Sequence, residues 1–83
     1  MGRTDKVIAK ILRGEDVQFD ALVGLALSLG FTERRSSGSH VILSHPKLRR
    51  PLCIQRAPGT KKAKKVCVVE VAEALKKIGV IDE

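Results

Sequence analysis

Apolar residues recur at helical spacing in three parts of the chain. The first predicted helix begins at Thr4 or Asp5, either of which can cap it, and ends near Gly14. The second covers about residues 19–29 and the third about residues 64–78, and each is followed by a glycine that can terminate it. We therefore predict two short helices in the N-terminal third and a longer helix near the end of the chain.

The central part of the chain has short β-branched and apolar runs that are separated by turn residues. Predicted strands cover residues 31–35, 40–44 and 51–56, with a turn at residues 36–39. Short links between consecutive strands favour antiparallel pairing. The predicted fold is α+β in the order α-α-β-β-β-α, with the helices packed on one face of a three-stranded sheet.

The length of 83 residues allows one domain, covering residues 1–83, with a single small core. A Rossmann fold or a (β/α) barrel would need a longer chain. The longest apolar run, residues 21–31, is shorter than the roughly 20 apolar residues that usually span a bilayer, and no signal peptide is evident. We expect a cytoplasmic protein with no membrane partner.

Basic residues are concentrated in the middle of the sequence. The formal net charge is +7, and residues 34–69 contain ten basic residues and no acidic one. This distribution predicts a polyanionic partner, either a nucleic acid or an acidic protein. Phe19 and Phe31 are the only aromatic residues, which argues against recognition by stacking of successive bases and favours contacts with the nucleic-acid backbone.

A lysine-rich loop precedes the third predicted helix. Positive charge at a helix N-terminus opposes the helix dipole, so a bound phosphate would relieve the conflict. The alternative is a solvated, flexible basic loop. The candidate phosphate-binding residues of this loop are Lys61, Lys62, Lys64 and Lys65.

His40 is the candidate for proton transfer, because it directly follows a predicted turn and an imidazole can give or take a proton. Gly38 and Ser39 would position it, and Arg34 and Arg35 could hold a phosphodiester beside it. RNA cleavage needs this combination of an acid or base and cations. The alternative is an ordinary surface histidine.

Other candidate chemistry is absent from the sequence pattern. His45 lies five residues from His40, on the opposite face of an unbroken strand and about 16 Å away, so we interpret it as structural or as a secondary contact. Cys53 and Cys67 match no zinc signature and are predicted to be two buried thiols. No paired carboxylates or metal cluster emerge, so we expect neither a metal nor another cofactor.

The segment Leu29-Gly30-Phe31-x-x-Arg34-Arg35-x-x-Gly38-Ser39-His40, followed by an apolar strand and His45-Pro46, resembles the HicA family. These are small toxins of bacterial and archaeal toxin–antitoxin pairs. The resemblance covers about residues 6–81. It implies a fold like that of double-stranded-RNA-binding domains and an mRNA interferase activity, with His40 as the catalytic residue and a HicB antitoxin that covers the site.

One departure from the family concerns the third strand. Many HicA chains have an apolar-Pro-x-His stretch there, whereas this chain reads Leu52-Cys53-Ile54-Gln55-Arg56. The resemblance therefore supplies no second histidine, and a lysine or water would have to act with His40. The expected function is a metal-independent endoribonuclease toxin of a type II toxin–antitoxin pair. The alternatives are a non-catalytic RNA-binding module with the same fold and a protein whose basic strip binds an acidic partner.

Overall fold

The computed structural model describes residues 3–37 and 39–81. It confirms the predicted α+β class and the order α-α-β-β-β-α. No helix in these two ranges is long and apolar enough to cross a membrane. The elements are α1 (Arg3–Leu12), α2 (Phe19–Ser28), β1 (Thr32–Ser37), β2 (His40–Ser44), β3 (Leu52–Gln55) and α3 (Lys65–Lys77).

The three strands form one antiparallel sheet in the order β1-β2-β3. β1 is longer at its C-terminal end than predicted, because residues 36 and 37 belong to the strand rather than to the turn. A register shift between Arg35 and Ser37 brings Ser37 opposite His40. Gly38, which the sequence analysis places in the turn before His40, lies outside the described residues.

The two faces of the sheet differ in burial. Val41 and Leu43 of β2 are fully buried, and Ile54 of β3 is 1% exposed. These side chains belong to the core cluster that the helices complete. The opposite face, which we call the outer face, carries the alternate residues of the strands, including His40 and the exposed Cys53. The helices therefore pack on one face, as predicted.

Helix α3 forms even though its first turns, residues 66–69, are rich in valine. Val68, Val71 and Leu75 lie on one side of the helix and are nearly completely buried. Burying one such side chain stabilises the fold by about 1.5–3 kcal/mol. The helix-propensity cost of a valine relative to alanine is only about 0.5 kcal/mol, so packing determines the conformation. The predicted start of this helix, near residue 64, is confirmed to within one residue.

Residues 60–65, which we call the lysine segment, are fixed between two parts of the fold. On one side, Phe19 donates its backbone N–H to the Lys61 carbonyl at 2.8 Å, and Ala63 donates to the Val17 carbonyl at 2.9 Å. On the other side, Lys64 donates its backbone N–H to the Gln55 carbonyl at 2.9 Å. The backbone of this segment is therefore held in place at both sides, unlike that of a flexible loop.

Candidate functional site

His40 is the first residue of β2, at the end of the sheet. Its Nδ1 lies 3.2 Å from the Oγ of Ser39, and the ring is half-buried. The Ser39 carbonyl in turn accepts the backbone N–H of Arg56 at 3.0 Å, which ties the turn before β2 to the end of β3. Ser39 thus orients the imidazole through its side chain and anchors the turn through its backbone.

Gln55 is the residue directly opposite His40 on β3. Directly opposed residues of antiparallel strands project from the same face with Cβ atoms about 5 Å apart. Lys64 donates its Nζ to the Oε1 of Gln55 at 2.8 Å, and its backbone N–H also bonds to the Gln55 carbonyl. Lys64, nine residues beyond the end of β3, therefore contacts Gln55, which is the cross-strand neighbour of His40.

These residues line an open cleft of about 580 Å³ at the end of the sheet. Its walls are Ser39 with His40, Gln55 with Arg56, the turn of residues 57–60, and Lys64. Neither Asp nor Glu is among the described residues that line the cleft. The cleft combines a titratable imidazole with two basic side chains, so it suits an anionic group.

Arg56 is a cleft residue that the sequence analysis did not single out. Its guanidinium carbon lies 5.4 Å from the ring centroid of Phe19, which is 2% exposed. A guanidinium over an aromatic ring is held by a cation–π interaction. The sequence places Arg56 in the segment without acidic residues, which could have indicated a binding role. Its contact with Phe19 could not be predicted, because the two residues are 37 positions apart.

Arg34 lies on the outer face of β1, and its side chain is exposed. It pairs with Ile42, which is two residues from His40 on the same face of β2. Arg34 and His40 are therefore diagonal neighbours across the two strands. Arg35 follows in β1, where its backbone pairs with that of Val41. That Arg34 and Arg35 hold a phosphodiester beside His40 stays a prediction.

The sequence predicts that the four lysines of the lysine segment meet at one phosphate site, and this prediction is wrong because their side chains do not converge on one place. Lys62 and Lys65 lie 3.2 and 3.6 Å from the carboxylate of Asp16, between α1 and α2, whereas Lys64 turns to Gln55. Lys65 also donates to the carbonyl of Gly14, just beyond the end of α1, where positive charge is favourable. Lys61 is exposed. The fold thus divides the lysines between two sides.

Asp16 is electrostatically coupled to this lysine pair. The hydrogen bond from Lys62 and the positive charges of Lys62 and Lys65 hold the pKa of the Asp16 carboxyl below its ordinary value. Charge that the sequence assigns entirely to phosphate binding is therefore partly neutralised within the protein. This pairing was not visible in the sequence, because Asp16 and Lys62 are 46 residues apart.

His45 has a structural environment, as predicted. Its ring packs against Phe31 at a centroid distance of 4.8 Å, and its Nδ1 accepts the backbone N–H of Lys47 at 3.0 Å. These contacts fix the start of the loop between β2 and β3. His45 does not line the cleft that contains His40.

The two cysteines differ, which corrects the prediction that both are buried. Cys67 is buried against β3, but Cys53 is exposed on the outer face. Cys53 alternates with the buried Ile54, so its position in the strand outweighs its apolar character. Within residues 3–37 and 39–81, no group of three or more His, Cys, Asp or Glu residues could hold a metal ion.

Comparisons with known proteins give no relative from which a function can be transferred. No family model matches the chain, and neither a curated protein nor a solved structure matches it.

Proposed function

We propose that this protein is an endoribonuclease that cleaves mRNA without a metal ion, and that His40 acts as its general acid or base. The observation that carries the proposal is the position of His40 in a cleft with Lys64 and Arg56. A phosphodiester in this cleft would meet a proton-transfer group and positive charge together. The sequence resemblance to HicA toxins points to the same residue.

The proposed reaction is internal transesterification of RNA. His40 takes the proton of a ribose 2′-hydroxyl, the 2′-oxygen attacks the adjacent phosphorus, and the bond from phosphorus to the 5′-oxygen breaks. The products are a 2′,3′-cyclic phosphate and a 5′-hydroxyl, whose proton comes from water. A neutral imidazole performs the first step, and Ser39 sets the orientation of its ring.

The remaining basic residues are proposed to bind the RNA backbone. Arg34 lies on the same sheet face as His40, and the exposed Lys61 is in the lysine segment. Arg35, Lys62, Lys64 and Lys65 complete the proposed set of cations, and Gly38 and Ser39 remain in the proposed site as the two residues before His40. Because stacking aromatics are absent from the cleft lining that the structure describes, we expect weak sequence selectivity.

The biological role that accompanies this activity is that of a cytoplasmic toxin in a type II toxin–antitoxin pair. Uncontrolled mRNA cleavage would arrest growth, so the proposal includes a HicB-like antitoxin that binds the protein and covers His40. Coexpression of an adjacent antitoxin-like reading frame should then restore growth.

The deciding experiment is incubation of purified wild-type and His40→Ala protein with a long RNA transcript in EDTA. We expect cleavage by the wild type alone, with 2′,3′-cyclic phosphate ends on the products. Cleavage that leaves 3′-hydroxyl ends would contradict the mechanism, and an active His40→Ala variant would contradict the assignment of His40. Salt-dependent binding by both proteins without cleavage would identify a non-catalytic RNA-binding module instead.

A further inference from the structure

The side chains of His40, Gln55 and Lys64 form a row across the end of the sheet. His40 and Gln55 are directly opposed on β2 and β3, and Gln55 accepts the Lys64 ammonium at 2.8 Å. All three line the same cleft. Lys64 is also the N-cap residue of α3, and its ammonium, which has no acceptor for the helix N–H groups, bonds to Gln55.

We infer that Lys64 is a second catalytic residue, which contacts the scissile phosphate, and that Gln55 is the positioning residue that holds its ammonium beside His40. This inference rests on the proposed ribonuclease function. The Lys64 ammonium stabilises the negative charge that builds on the phosphate oxygens while the 2′-oxygen bonds to phosphorus and the 5′-oxygen leaves. Lys64 thus acts with His40 by its charge, while water supplies the proton for which the sequence offers no second histidine.

The chemical nature of the partner distinguishes Lys64 from its neighbours. Lys62 and Lys65 are paired with the carboxylate of Asp16, which neutralises part of their charge. Lys64 is paired with a neutral amide. An amide oxygen fixes the ammonium by one hydrogen bond and leaves its full charge and two further N–H donors for a ligand. Such an arrangement holds a cation in position before the anionic substrate arrives.

The backbone makes this position rigid. The Lys64 N–H donates to the Gln55 carbonyl at 2.9 Å, so the same residue holds both ends of Lys64. On the same edge of β3, which faces away from β2, the Gln55 N–H is 3.4 Å from the Sγ of the buried Cys67. A charge fixed in advance stabilises a transition state without reorganisation during the reaction. The exposed Lys61 has no such arrangement among the contacts that the structure describes.

The test uses three variants of the full chain: Lys64→Met, Lys64→Arg and Gln55→Glu. Initial rates on a long transcript in EDTA give kcat and KM, and a 2′-O-methyl RNA of the same sequence, which cannot be cleaved, gives the affinity. Lys64→Met should lower kcat about 100-fold with only a small loss of affinity, because one donor to a developing charge is removed. Lys64→Arg should recover part of kcat, since the charge returns.

Gln55→Glu separates a catalytic from a structural role. It replaces the amide by a carboxylate of the same shape, so Lys64 gains an ion pair and the fold keeps its stability. We expect kcat to fall at least tenfold because the ammonium is neutralised. The pH at which the cleavage rate rises should also be higher in this variant than in the wild type, because a negative charge near His40 favours its protonated imidazole.

The matched control is Lys6→Met, which removes the same charge from an exposed position on α1. It should leave kcat unchanged. Wild-type rates in both Lys64→Met and Gln55→Glu would overturn the inference while leaving the ribonuclease proposal intact. No cleavage by the wild-type protein would overturn the proposed function, and the inference with it. A kcat loss in Lys64→Met that Lys64→Arg does not recover at all would also contradict the role of charge.

Discussion

The two sides of the lysine segment use the same residue type in different ways. On the Asp16 side, Lys62 and Lys65 form an ion-paired cluster that joins the start of α3 to the connector between α1 and α2. On the His40 side, Lys64 is held by the uncharged Gln55 in an open cleft. The first side ties parts of the fold together, and the second side keeps positive charge available.

This difference shows that a run of lysines is not a single binding patch. Residues 62, 64 and 65 are close together in sequence, but the extended backbone before α3 and the start of the helix direct their side chains to different partners. Water screens exposed ion pairs, which therefore contribute little stability, so the Asp16 cluster holds its parts together only weakly and a phosphate can compete with it. At the Lys64 site a phosphate has no carboxylate to displace.

The largest effect is expected at His40 on the cleft side. His40→Gln should lower the cleavage rate about 10²–10⁴-fold, since it removes a general acid or base, while the midpoint of urea unfolding stays close to that of the wild type. Single-turnover cleavage of a labelled transcript measures the rate.

The control for that experiment is His45→Gln, which changes the same residue type outside the cleft. It should retain cleavage but unfold at lower urea, because it loses the ring contact with Phe31. Equal loss of cleavage in both variants at full stability would contradict the assignment of separate roles to the two histidines.

The second effect is expected in the salt dependence of RNA binding. Each phosphate contact with single-stranded RNA contributes about 0.7 to the slope of log affinity against log salt. Lys64→Gln should lower this slope by nearly that amount, whereas Lys62→Gln should lower it less, because Asp16 already shares that charge. Fluorescence anisotropy with a non-cleavable RNA measures both slopes, and a larger change for Lys62→Gln would reverse the comparison.

The third effect tests the Asp16 side directly. Asp16→Asn removes the carboxylate that pairs with Lys62 and Lys65, so RNA affinity at low salt should rise by about two- to fivefold, the equivalent of an exposed ion pair. Asp20→Asn makes the same charge change at an exposed position on α2 and serves as control. Equal gains in the two variants would mean that only net charge matters.

The smallest effect is a pH dependence of stability. The pKa of Asp16 is lowered in the folded protein by Lys62, so its ionised form contributes stability above its unfolded pKa, near 3.8. That contribution is lost as the pH falls through the lower folded value. Urea unfolding should therefore separate wild type from Asp16→Asn at pH 6 and give the same midpoint for both at pH 2. A difference that persists at pH 2 would exclude this electrostatic origin.

The element order was predictable because it depends on local signals. Glycines after the helices and the alternation of β2 are read within a few residues, and the core stripe of α3 is visible at helical spacing. The C-terminal end of β1 was not predictable from the sequence. The register of β1 against β2 shifts between Arg35 and Ser37, and this shift depends on the partner strand. The exposed Cys53 shows that strand alternation is a better guide than the apolar character of one residue.

The candidate site was predictable only in part. His40 and Arg34 are marked by residue type and by position around a turn. Neither the residue type nor the sequence position of Gln55 indicates a role. Its role in the site depends on the pairing register of β2 and β3, which places it opposite His40. The division of the lysines depends on Asp16, which contacts Lys62 in the fold although the two residues are 46 positions apart in sequence. Long-range pairings of this kind follow from the fold and not from a short motif.

The edges of the sheet have consequences for association between copies of the chain. On β3, the thiol of Cys67 lies against the outward-facing backbone, where it accepts the Gln55 N–H and donates to the Cys53 carbonyl. β1 is the opposite edge, and its irregular pairing near Arg35 and the exposed charge of Arg34 discourage the addition of another strand. An Arg34→Val variant would therefore create an aggregation-prone edge, whereas Arg34→Gln removes the charge and keeps the edge polar.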